Sequence, residues 1–178
     1  MDKTFYLAFS GLMMIAAGIT LFFSEKLGIE SSKILMPAFM LIAGISSFIF
    51  SNYDKLPKIA NQYHKIQGIG LIVYAIIIIS SITTLKSFLI TSTYFILMYG
   101  LFELIFSFAV LNSNHEINKG ILMSRLVAGG LNLLGGFILL LTSLSSERNG
   151  LIITSVLIII GGLSQVIFIK TLRDKEIL

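Results

Sequence analysis

Six stretches of this sequence, roughly residues 5–24, 33–51, 65–85, 88–111, 121–144 and 150–170, are apolar over enough length to cross a bilayer as helices. A helix rising 1.5 Å per residue needs about 20 apolar residues to cover roughly 30 Å of hydrocarbon. Inside that layer each backbone N–H and C=O must be paired within its own segment, so helix is the form these stretches take. Together with short polar joints they occupy nearly all 178 residues. The expectation is one all-α integral membrane domain over 1–178, with a short tail at 171–178. Charged residues make up 12% of the chain, against roughly 25% in a soluble domain, which agrees.

The N-terminal MDKT and its apolar run resemble a signal peptide only superficially. The run ends FFSEKLG without a small-x-small cleavage site and reads as a retained first span. Sorting Lys and Arg by side puts Lys3, Lys55, Lys58, Lys65, Lys119, Arg125, Lys170, Arg173 and Lys175 on one face of the membrane, and Lys26, Lys33, Lys86 and Arg148 on the other. Nine basic residues against four predict that both termini are cytoplasmic. Between the second and third spans, Leu56, Ile59, Ala60 and Tyr63 recur at helical spacing among Lys55, Lys58 and Lys65, which reads as a short turn lying on the headgroups.

Several chemistries find no support. The chain has no cysteine, so it has no thiolate nucleophile, disulfide or cysteine metal site. His64 and His115 are expected at cytoplasmic ends and have no second ligand at i+3 or i+4; no metal or cofactor is expected. The basic excess is taken up by topology and leaves no surface for nucleic acid. No HExxH, GxGxxG or Walker-type motif occurs.

A repeat organises the six spans. GISSFIF at 44–50, GLFELIF at 100–106 and GLSQVIF at 162–168 occupy matching places on even-numbered spans. At an offset of 118, Gly11 falls on Gly129, Gly18 on Gly136, Gly44 on Gly162, Ser46 on Ser164 and Phe50 on Phe168. The chain thus reads as three parallel helical-hairpin repeats, roughly 5–52, 65–112 and 121–170, forming a pseudo-threefold bundle. The middle copy is diverged, with Gly68 and Gly70 but no second glycine matching Gly18 and Gly136. Gly11, Gly18, Gly44, Gly100, Gly129, Gly136 and Gly162 are expected at close helix crossings, because small residues let backbones approach where lipid offers no hydrophobic drive.

AFSGLMMIAAGITLFF, MLIAGISSFIF, YGLFELIFSF and AGGLNLLGGFILLL with IIIGGLSQVIF together resemble the HdeD family of small bacterial inner-membrane proteins, built from glycine-rich hairpin repeats with six spans. The resemblance covers nearly the whole chain. Absent is the proline that the family often carries after the first helix of a hairpin; Pro37 instead reads as a first-turn or kink residue of span two. The resemblance implies an inner-membrane protein associated with acid resistance, without a defined biochemical activity or a catalytic residue.

One residue stands out from the apolar spans. Glu103 lies in the middle of GLFELIF, where a charge costs a few kcal/mol and is by default a functional candidate. The repeat aligns Ser47, Glu103 and Gln165, which predicts an interior polar ring; Tyr99 shares the Glu103 face. Arg125 is the obvious counter-charge, yet on antiparallel helices the two side chains lean apart, so Arg125 is expected to snorkel to the interface, with an ion pair to Glu103 as the alternative. An unpaired acid at that depth is more stable neutral, donating a hydrogen bond to Gln165 or Asn132. Function therefore reads as a non-catalytic, possible stress-related membrane protein, with a proton- or small-solute-handling transporter or channel using Glu103 as the alternative. The bilayer is the expected partner; self-association and other membrane proteins stay open.

Overall fold

Seven helices account for almost all of the described chain, which in this computed structural model comprises residues 4–27, 29–52, 58–81, 84–112, 119–142 and 146–174. They are α1 (Thr4–Phe22), α2 (Ser24–Leu27), α3 (Ile29–Ser51), α4 (Lys58–Ser81), α5 (Leu85–Leu111), α6 (Lys119–Thr142) and α7 (Glu147–Asp174). All except the four-residue α2 are long and apolar enough to cross a membrane. Six spans make this a multi-pass membrane protein. Lys55, Leu56 and His115 lie outside the described residues.

Three boundaries differ from the sequence reading. Residues 58–64 form the first turns of α4 rather than a turn on the headgroups, and Ala60 and Tyr63 are buried in the bundle. Their apolar face finds protein partners, including Phe106 stacked on Tyr63 at 4.2 Å, and that outcompetes lipid headgroups. Pro37 lies well inside α3, not in its first turn. Lys86 and Ser87, taken as a joint, are already helical. Thr84 caps α5 there, its Oγ1 accepting from the Ser87 amide while the Ser87 hydroxyl accepts from the Thr84 amide, so the reversal needs very few residues.

Glycine decides which helices touch. A Cβ on Gly44 would come within 2.8 Å of the Gly68 carbonyl oxygen, bringing α3 against α4. One on Gly100 would meet the Gly129 carbonyl oxygen at 2.9 Å, bringing α5 against α6. One on Gly162 would meet the Gly11 carbonyl oxygen at 2.6 Å, bringing the last helix, α7, back against α1. At each crossing backbone meets backbone with no room for a methyl group, as expected where dispersion and not the hydrophobic effect joins helices. A Cβ on Gly18 would meet the Ser155 carbonyl oxygen at 2.8 Å as well as the Ile159 side chain, whereas the missing side chain of Gly136 admits Leu97. Ala75, seven residues after Gly68, is fully buried in the corresponding position of α4.

The outer surface is apolar, with Phe5, Leu12, Ile76, Leu134 and Leu141 among many exposed large side chains facing where lipid would lie. Inside, Leu21, Met36, Ile78, Phe88 and Leu151 belong to one apolar cluster, and Leu7, Phe50, Phe106, Val110 and Phe168 to a second toward the N-terminal end of α1. Polar side chains gather next to that second cluster.

Candidate functional site

On each of α3, α5 and α7 a polar residue is followed three positions later by phenylalanine: Ser47 and Phe50, Glu103 and Phe106, Gln165 and Phe168. Spacing of three puts each pair on one helix face. All six side chains are buried, and Ser47, Glu103 and Gln165 have no exposed surface. They do not bond to one another directly. Ser47 Oγ lies 3.1 Å from the His64 carbonyl oxygen and 3.3 Å from Gln67 Oε1; Gln67 Nε2 donates to Tyr99 Oη at 2.9 Å; Gln165 Nε2 reaches the same Tyr99 oxygen at 3.3 Å. Gln67 and Tyr99 therefore link the polar positions of α3 and α7.

Glu103 faces Arg125, and here the structure corrects the expectation of a snorkelling cation. Arg125 Nε lies 3.8 Å from Glu103 Oε2, with both side chains completely buried. The tight α5–α6 crossing explains it. A Cβ on Gly129 would sit 2.9 Å from Glu103 Cβ, and Arg125 lies one turn earlier on the same face of α6. The two side chains start about one turn apart, a gap the long arginine closes despite its lean. The distance is that of an ion pair without a hydrogen bond, and neither carboxylate oxygen nor any of the three guanidinium nitrogens has a hydrogen-bond partner.

Aromatic faces take the place of those bonds. The guanidinium carbon lies 4.2 Å from the Phe168 ring centre, 5.0 Å from that of Phe106 and 5.1 Å from that of Tyr63. A desolvated cation–π contact stabilises by about 2 kcal/mol, and three surround one cation. Tyr63 and Tyr99 hydroxyls are within electrostatic reach of the Glu103 carboxylate, though neither makes a well-formed hydrogen bond with it. Asn132, considered as a partner for Glu103, is buried, and its Nδ2 has no partner.

His64, in the second turn of α4, is fully buried, with Nδ1 3.1 Å from Gln67 Oε1 and its ring edge-on to Phe50 at 5.0 Å. With Nδ1 as donor, Nε2 is left without a partner. One signal pointed to it. His64 precedes Gly68 by four residues, as Arg125 precedes Gly129 and Leu7 precedes Gly11, and all three side chains have no exposed surface.

This arrangement encloses a carboxylate, a guanidinium and an imidazole inside the bundle. It does not assemble a nucleophile with a base: His64 meets Gln67 and aromatic rings. Among the described residues no three potential metal-ligating side chains cluster. No family of proteins, no curated protein and no solved structure was found to match the chain.

Proposed function

We propose that the chain is a non-catalytic multi-pass membrane protein of HdeD type, in the bacterial inner membrane with both termini cytoplasmic, serving acid or envelope stress resistance. Three hairpin repeats about a pseudo-threefold axis are part of this reading. The crossings Gly44–Gly68, Gly100–Gly129 and Gly162–Gly11 support it, since each joins the second helix of one repeat to the first helix of the next. The observation that carries the functional reading is the buried Glu103–Arg125 pair. With both side chains fully enclosed and the cation packed by three rings, the pair serves cohesion of the bundle. Purified protein in liposomes loaded with a pH-sensitive dye tests it. The proposal expects proton leakage equal to that of protein-free liposomes.

A second reading has its own support. Polar groups extend from Ser47 through Gln67 and Tyr99 to Gln165 beside an ionisable carboxyl, an arrangement that suits proton handling. Proton flux that disappears in Glu103→Gln would establish this reading and displace the first.

A further inference from the structure

We propose that the groove between α6 and α7 binds a neutral lipid whose ring carries a hydrogen-bond-accepting oxygen, a quinone with an apolar tail being the class that fits. The groove has a volume of about 350 Å³, and Met123, Val127 and Leu131 of α6 and Leu163 and Ile167 of α7 are among its lining residues. Each of the five is about half exposed, so the groove opens outward, where lipid would lie. From Met123 to Leu131 is eight residues, about 12 Å along the helix axis, a length that takes a ring and the start of a tail. Among the described residues no charged side chain lines it, which suits a neutral ligand and not a charged headgroup.

One hydroxyl in this apolar lining lacks a partner. Ser164 is 3% exposed and its Oγ makes no hydrogen bond, whereas Ser124, the other serine of the groove, has an interaction of its own. A buried hydroxyl without an acceptor is costly, and a ligand oxygen removes that cost where an alkyl chain would not. Ring volume is also missing. At the offset of 118, Leu163, Ser164 and Ile167 fall on Ile45, Ser46 and Ile49, so the α7 wall is nearly unchanged, but Ser124 and Val127 fall on Tyr6 and Phe9. In α1 the Phe9 ring stacks on Phe5 with centres 5.8 Å apart. On the repeat reading given above, α6 therefore lacks a phenol and a phenyl ring that the first hairpin supplies from its own chain, and a bound ring takes their place.

The full chain in neutral detergent, titrated with decylubiquinone and followed by isothermal titration calorimetry, tests the site. Wild type should bind one quinone per chain. Ser164→Ala should weaken binding about fivefold, the loss of one hydrogen bond, and Val127→Phe, which adds the ring that α1 carries at this place, should weaken it by more than about tenfold. Leu134→Phe, which enlarges an exposed residue outside the groove, should bind as wild type does. No binding by wild type, or displacement of the quinone by an equal concentration of dioleoyl phosphatidylethanolamine, which would make this an acyl-chain groove, would overturn the proposal; neither measurement needs a variant. Wild-type affinity in both Ser164→Ala and Val127→Phe, or a dimer that Val127→Phe turns into a monomer, would also overturn it. Tyr6→Ser/Phe9→Val should open a second quinone site between α1 and α3. A single, Ser164-dependent site in that variant would overturn the repeat reading and leave the α6–α7 site supported.

Discussion

Arg125 and Glu103 meet inside the bundle at 3.8 Å, and what closes around the cation is carbon, with Phe168 nearest at 4.2 Å. Two ions so placed are far costlier to separate than to remove together, since a lone buried charge keeps its full desolvation penalty.

Glu103→Gln should therefore destabilise the protein by about 3–5 kcal/mol, leaving a guanidinium facing a neutral amide. Adding Arg125→Met to that variant should recover more than half of the loss. Thermal melting in detergent of the two single variants and the double variant reads the coupling directly. A wild-type melting temperature for Glu103→Gln would mean that the carboxyl is already neutral.

The aromatic contribution can be separated from ordinary packing. Phe168 and Phe88 are 4% and 5% exposed, but only Phe168 is among the rings that face Arg125. Each changed to Leu should lose packing energy, and Phe168→Leu should lose about 1 kcal/mol more because a cation–π contact goes with it. Equal losses would show that the rings serve only as bulk.

Glycine positions should split three ways. Gly162→Ala places a methyl group 2.6 Å from a backbone oxygen that cannot move alone, so it should lower the melting temperature most. Gly136→Ala meets the end of the Leu97 side chain at 2.7 Å and should cost less, because that side chain can change rotamer. Gly130→Ala meets nothing within 4 Å and should stabilise by roughly 0.5–1 kcal/mol through helix propensity. A uniform response of the three would contradict the backbone crossings.

The proposed orientation is checked by reporter fusions. Those placed after Asn52, after Asn114 and at the C-terminus should report the cytoplasm, and those within 25–32 or 145–149 the opposite side.

The six spans were legible because hydropathy over twenty residues reports directly on the solvent a helix prefers, and Glu103 was legible because it violates that preference. Tyr63, His64 and Gln67 were not. The segment NQYHKIQ is polar enough to resemble a joint, and only contact with Phe50, Phe106 and Phe168 makes its inner face an interior one. Arg125 was misplaced for a related reason: the direction of a side chain is a local rule, whereas its reach across the Gly100–Gly129 crossing depends on how near two helices come. Periodicity marked the glycines as contact points without naming their partners. Gly11 and Gly162 are separated by 150 residues, and nothing local to either tells it to seek the other.

The meeting of Gly162 with Gly11 also sets a timetable for synthesis. Helices enter the bilayer in chain order, so α1 is inserted before α7, the helix that covers its glycine face. Until α7 is inserted, Gly11 and Gly18 are without the contacts it makes with them. A nascent chain halted before α7 therefore carries an α1 whose glycine face lacks its native cover.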